Sequence, residues 1–322
     1  HPVCRMNYKP TAGKVFVENP GVTRPSRNSH LQLEPAAAPL MFGHIALNDP
    51  ILIDAAKAAG TYQEVHWWKI PDFSSEIGDI KLLWEPSRLD ELVYFAQLYV
   101  CQGDTAKLVD LNAVVLKWVR ENVAYRGVNW RCAQEASLRI LNLATAAMVL
   151  GDLVKPGPGL TDFILMHIKR ISLTTSYAAA QRNNHIISEG AALFIGGSWL
   201  SKLGVAEGSV WELKGRRILD RQTCNLVGKD GGFSQYSTNY HRLFLDIMSL
   251  VSLWAGNVGI EQLSSSWRLA CQRATQWLGH HVIVDNGRVP ALGSNDGAKI
   301  LRLGIASIDD YRPSVQLASV LF

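Results

Sequence analysis

Cysteine, charge and long apolar runs are all scarce in this 322-residue chain, and each scarcity excludes something. The five cysteines, Cys4, Cys101, Cys132, Cys224 and Cys271, form no C-x-x-C pair, so neither a zinc site nor a disulfide framework is indicated. Four of them fall in or beside helical patterns as small apolar residues. Charged residues make up 19% and the net charge is only +4; without a clustered basic tract, no nucleic-acid partner is expected. A mildly basic surface still suits an acidic small molecule or polysaccharide. The longest apolar runs, such as residues 191–200, are about ten residues, too short to span a bilayer, so the chain is read as soluble with no membrane span. It opens at His1 without a charged-then-apolar leader and is read as a processed mature form or a cut piece.

What is present is a normal hydrophobic share of 48%, enough for a real core. Residues 1–47 are rich in Pro, Asn, Ser and Gly, with one strand-like piece at Lys14–Val17, and read as an extended N-terminal segment. From residue 48 to 322 the period is that of helices. Asp49 starts a short helix ending at Gly60, and the stripe Leu89, Leu92, Val93, Ala96, Tyr99 and Val100 repeats at helical spacing. A second stripe runs from Leu108 to Val123, a third helix from about Gln134 to Leu150, and a fourth, capped by Thr161, to about Tyr177. Further helices are expected from Asn184, from Ala206, over Asn239–Ala255 and over Glu261–Leu278, with strand-like His281–Val284 turning at Asp285-Asn286-Gly287.

Eight or more helices joined alternately by short turns and polar loops suit antiparallel pairs, packed as a bundle, a solenoid or an incomplete ring. The ring is favoured because the polar loops 125–131, 181–185 and 230–241 follow alternate helices and would gather at one end.

Those loops hold the candidate chemistry. In Gln181 to Gly190, a helix starting near Asn184 puts His185 and Glu189 one turn apart, so Glu189 can fix the tautomer of His185. The plain alternative is an N-cap at Asn183 or Asn184 and a surface ion pair. A metal reading of His-x-x-x-Glu lacks further ligands. In the second stretch, Asp230-Gly231-Gly232 is a turn, and Gln235, Tyr236, Ser237, Asn239, Tyr240 and His241 crowd the start of a helix; a lone Tyr240 would otherwise be core. Around the third, Asn129, Trp130 and Arg131 precede Glu135 and Arg139, and an indole face with guanidinium forks suits sugar rings and carboxylates. Trp118, Trp254 and Trp267 read as core. The loop Val289–Gly297 reads as a solvent loop.

Taken in order, Asn129-Trp130 with the Glu135–Asn142 helix, Asn183-Asn184-His185 with Glu189, Asp230-Gly231-Gly232 with Gln235 and Tyr240-His241, and the Pro290–Gly297 loop resemble the heparinase II/III and alginate lyase superfamily. The resemblance implies an all-α fold, an incomplete (α/α) toroid, and cleavage of an acidic, uronic-acid-containing polysaccharide by β-elimination. Carried over, Asn184 would neutralise the uronate carboxylate, His185 would assist or take the proton from one epimer, and Tyr240 would be the acid/base. Asn129, Trp130, Arg131, Glu135, Arg182, Glu189, Gln235, Tyr236, His241 and Arg242 would line the substrate. Lowering the Tyr240 pKa would require a cation, and Arg182, Arg242 and His241 are candidates.

Members of that superfamily usually continue into a β-sandwich domain bearing a further histidine or tyrosine and often a metal. The resemblance therefore implies that this domain is absent from this chain or supplied as a separate or cleaved partner, that no cofactor belongs to this chain itself, and that Ser294-Asn295-Asp296 marks the junction. It also favours a periplasmic or secreted location over the cytoplasm, where uronate polymers are not found.

Two other classes fit the sequence less well. A toroid glycoside hydrolase needs two facing carboxylates, for which Glu135, Glu189, Asp230 and Asp296 are available. A non-catalytic glycan-binding or exopolysaccharide-production domain would hold the polymer uncut. An isoprenoid-cyclising toroid is disfavoured by the lack of an Asp-Asp-x-x-Asp cluster.

Overall fold

A computed structural model describes residues 60–71, 78–151, 159–295, 299–301 and 306–322. The N-terminal segment 1–47, the helix from Asp49 and the Pro156–Pro158 loop lie outside the described residues, apart from Gly60 at the helix end. The rest is helical: α1 Glu91–Gln102, α2 Thr105–Glu121, α3 Ala133–Leu150, α4 Leu160–Ser172, α5 Thr175–Gln181, α6 Asn184–Lys202, α7 Gly208–Leu226, α8 Thr238–Val258, α9 Ser265–His281 and α10 Arg312–Leu321.

Burial sorts these helices into two layers. In α3, α6 and α8 nearly every residue is buried, including the polar ones, so these three are wrapped on all sides and form the inner row. That row runs α1, α3, α6, α8, α10, each packed on the next, while α2, α4, α7 and α9 back it from outside. Each outer helix returns the chain, so successive inner helices start at the same end. The arrangement is the expected all-α, toroid-like set of antiparallel pairs.

The closest pair is α6 with α7, and glycine sets its spacing. A Cβ on Gly215 would fall 2.3 Å from the Phe194 backbone nitrogen, and one on Gly197 would fall 2.3 Å from that of Glu212. Gly197, Gly208 and Gly215 thus allow backbone-to-backbone contact with no side chain between, while Gly190 makes room for the Ile218 side chain. Within the core, Trp118, Trp254 and Trp267 are enclosed as expected; Trp254 donates to Ser198 Oγ and its ring tilts against Trp199.

Local differences from the sequence reading have identifiable causes. Thr161 does not cap α4, which starts one residue earlier behind Gly159 without a side-chain cap. The stretch read as reaching Tyr177 breaks at Leu173-Thr174 into α4 and the short α5. His281–Val284 makes no strand: α9 runs on to His281, and Ile283 then closes a turn by exchanging hydrogen bonds with Arg288 and Gly287. No strand lies beside it among the described residues, and its backbone is satisfied by this turn, by the Val282 N–H donating to the Gly279 carbonyl and by Arg312 donating to the Val284 carbonyl at 3.1 Å. The final helix α10 was not anticipated. No helix among the described residues is long and apolar enough to cross a membrane.

Candidate active site

Three helix starts meet at one end of the inner row. Asn183 Oδ1 caps α6 by accepting from the His185 N–H at 3.0 Å, and Ser237 Oγ caps α8 by accepting from the Tyr240 N–H at 3.2 Å. The backbone N–H of Asn184 donates to Gln235 Oε1 at 3.2 Å, and its side-chain amide donates to Gln134 Oε1 at 3.0 Å. Asn184 therefore joins the first turn of α3, its own helix α6 and the approach to α8. Asn184, in the first turn of α6, thus touches the first turn of α3, and two positive helix ends adjoin there, a field suited to an anion.

Around this centre the polar side chains differ sharply in freedom. Glu135, buried in the first turn of α3, takes a bidentate ion pair from Arg88, at 2.8 and 3.0 Å. Its charge also faces His185, a half-buried ring whose pKa lies below the ordinary 6.5 because burial disfavours the cation, Glu135 only partly offsetting that. The ring is thus neutral at neutral pH. Tyr240 is half-buried in the first turn of α8, packed against the core. Gln235 is half-buried and Tyr236 is 86% exposed.

The expected pairing of His185 with Glu189 does not form. Glu189 turns instead toward Arg170 on α4 and Lys214 on α7; it is buried, its Oε2 has no hydrogen-bond partner among the described residues, and its pKa is pushed up to about 8 by burial. One turn of an inner helix points its successive rows at different neighbours, so helical spacing alone could not assign the partner.

Besides Glu135 and Glu189, other residues read as substrate-lining, Trp130, His241 and Arg242, are enclosed. Trp130 has no exposed surface: its ring packs on Trp118, Tyr125 and His167, and Nε1 donates to the Asn122 carbonyl at 3.3 Å. Arg139 and Arg170 pull this loop inward by donating to the carbonyls of Asn129, Trp130 and Arg131. Asn129 itself donates to Asn122 Oδ1. His241 is stacked on Trp277 and hydrogen-bonded to the Ala274 carbonyl, with its pKa pushed down to about 4 by burial, so it is neither charged nor exposed.

The cation near Tyr240 also needs correction. Arg242 is buried, donating to Asn239 Oδ1 and the Ile308 carbonyl with its guanidinium over the Tyr311 ring, and so serves the C-terminal segment. With His241 neutral, Arg182 is the remaining candidate: it is exposed at the α5–α6 corner, and its carbonyl accepts from Ser234. Arg182 and Tyr236 both hold positive φ, 52° and 51°, an uncommon strain for residues with side chains, and both lie in the loops that bring α6 and α8 together.

The Pro290–Asn295 loop is exposed but not detached. Thr238 donates to the carbonyls of Leu292 and Pro290, and Ser237 Oγ donates to the Ser294 carbonyl at 2.6 Å. Gly293, at φ 68°, lets the loop approach so closely that a Cβ there would fall 2.2 Å from the Tyr236 carbonyl. The loop thus braces the start of α8, contrary to the solvent-loop reading; Asp296 lies outside the described residues. Sequence reasoning missed Gln134 and Arg88. Gln134 adjoins Glu135 at a helix start, a usable signal, whereas nothing local marks Arg88.

A scan against protein-family models matches none, and a search of curated proteins finds no relative. Among solved structures the chain is similar to a crystal structure of heparinase III, with TM-score 0.53, 15% identity and coverage of 78% of this chain and 41% of that one. It is also similar to the heparan sulfate lyase HepC mutant from Pedobacter heparinus, with TM-score 0.47, 17% identity and coverage of 77% and 40%. The chain thus spans about two fifths of the length of the structures it matches. At this identity the likeness to heparinase III is one of fold: the helical toroid is shared, in agreement with the resemblance read from the motifs.

Proposed function

We propose that this chain is the toroid part of a polysaccharide lyase that cleaves an acidic, uronic-acid-containing glycan by β-elimination. The observation that carries the reading is the junction at Asn184, which ties the start of α6 to the first turn of α3 and to the loop leading into α8, next in the chain to His185, a ring that burial keeps neutral; Tyr240 stands in the first turn of that same α8.

The proton α to a uronate carboxylate is weakly acidic, so the carboxylate must be neutralised before the C5–H bond can break. In this reading the Asn184 amide and the helix N-termini bind the carboxylate as charge builds on it, and His185 donates a hydrogen bond or accepts the C5 proton. The C5–H electron pair becomes the C4–C5 double bond, the C4–O bond breaks, and Tyr240 gives its proton to the departing glycosidic oxygen. Tyr240 regains a proton from solvent, or from C5 when it acts as the base in syn elimination. Arg182 is the cation available to favour its phenolate form.

The hydrolase alternative is weakened by the state of its carboxylates. Glu135 is locked on Arg88, Asp230 Oδ1 accepts from the Gly232 N–H within its turn, and Glu189 is enclosed, turned toward Arg170 and Lys214. The test is product chemistry. The intact protein incubated with alginate, heparan sulfate, hyaluronan or polyglucuronate should generate the absorbance of an unsaturated uronate; new reducing ends without that absorbance would show hydrolysis and overturn the proposal.

A further inference from the structure

The outer wall carries a charged groove of about 450 Å³ that the elimination chemistry does not use. Its floor is apolar, from Val210, Leu213 and Ile218, with Val210 65% and Leu213 46% exposed. Its flank is basic: Lys214, Arg217 and Arg221 follow one another at i, i+3 and i+7 along α7, and about 1.5 Å rise per residue spreads them over about 10 Å. Lys214 is anchored, donating to the Ser172 carbonyl at 2.8 Å. Arg217 and Arg221 are exposed, and neither enters an ion pair among the described residues. The acids of the same helix are committed elsewhere, Glu212 to Arg216 at 3.8 Å and Asp220 to the N–H and hydroxyl of Ser264. The groove therefore presents an uncompensated positive row beside an apolar floor.

Its direction adds meaning. Gly208 of α7 faces Gly197 and Ser201 of α6, whereas Gly215 faces Gly190 and Phe194, so the helices run antiparallel and Arg221 lies toward the end where α6 begins. The row climbs the wall to the same end as Asn184.

We propose that this groove is a secondary binding track for an extended anionic polysaccharide, its carboxylates or sulfates held by Arg217 and Arg221 and its sugar C–H faces resting on Val210, Leu213 and Ile218. This rests on the proposed substrate class but concerns a surface separate from the elimination site. A second copy of the chain would set like charges against each other.

Binding of long polyglucuronate, alginate and heparan sulfate to the intact protein, with dextran as the neutral control, tests the track by affinity electrophoresis at two salt concentrations. The double variant Arg217→Gln/Arg221→Gln should weaken binding of at least one long acidic polymer about tenfold, the sum of two exposed charge contacts, with the difference shrinking at high salt. Arg217→Lys/Arg221→Lys should restore most of it, and turnover of short oligouronates should be unchanged. Equal binding by wild type and the Gln variant, no binding of any acidic polymer by wild type, or a dimer that the Gln variant dissolves would each overturn the proposal. If no uronate is cleaved, the lyase reading fails, while charge- and salt-dependent polymer binding still decides the track.

Discussion

Gly215→Ala is a one-carbon test of how the toroid is held together. In an ordinary exposed helix this change is favourable by up to about 1 kcal/mol, because alanine has less backbone freedom to lose. At Gly215 the new Cβ would lie 2.3 Å from the Phe194 nitrogen, 2.7 Å from the Gly190 oxygen and 2.8 Å from the Phe194 Cα, all backbone atoms of α6 that cannot rotate aside. The helices must separate, and overpacking of this kind costs about 1–3 kcal/mol or more. Since α6 also carries Asn184 at its start, the cost falls on the helix that organises the site. The net expectation is destabilisation by about 2 kcal/mol, read as a lower denaturant midpoint at unchanged slope. Gly256→Ala supplies the internal control: it lies exposed in α8 with nothing within 4 Å of its Cβ position and should stabilise by about 0.5–1 kcal/mol. If Gly215→Ala stabilised the protein as Gly256→Ala does, the backbone contact between α6 and α7 would be refuted.

Two pH effects follow from burial. The Glu189 carboxyl, held up at about 8 against an ordinary 4.5, keeps a proton in the folded chain that the unfolded chain releases. Stability from the neutral form is complete below about pH 4.5 and is lost as pH rises toward 8, so Glu189→Gln should flatten the fall in unfolding midpoint across that window. Identical pH profiles for the two proteins would show that the carboxyl ionises normally. His185 has the opposite sign: with its folded pKa below 6.5, the unfolded chain binds more protons just below that value, and stability drops as pH falls through the folded pKa. If His185 acts neutral, the acid limb of uronate cleavage should lie below pH 6.5 and change with His185→Gln; an unchanged limb, or one above pH 6.5, would remove His185 from the mechanism.

The fold was legible because the inner helices advertise themselves. Leu108, Leu111, Val115 and Trp118 repeat at helical spacing, and the polar loops fall after alternate helices, so the gathering of Asn184 and Gln235 at one end could be anticipated. What spacing could not convey was the third dimension of a helix surrounded on every side. His185 and Glu189 sit one turn apart yet answer to different neighbours, Glu135 for one and Arg170 with Lys214 for the other. Trp130 read as an exposed sugar platform because its loop is polar, but Arg139 and Arg170, distant in sequence, draw the loop carbonyls inward and bury the indole with them. Arg242 and His241 adjoin Tyr240 in sequence but face the C-terminal segment and α9, since side chains one and two positions along a helix diverge.

The central claim, that Tyr240 transfers protons beside a carboxylate held at Asn184, is tested most directly by Tyr240→Phe in the intact protein. Removing one hydroxyl from the half-buried ring should leave polymer binding and the unfolding midpoint close to wild type. Formation of unsaturated uronate should fall by a factor of about 10² to 10⁴, the contribution expected of a positioned acid/base. Turnover by Tyr240→Phe at the wild-type rate would contradict the account.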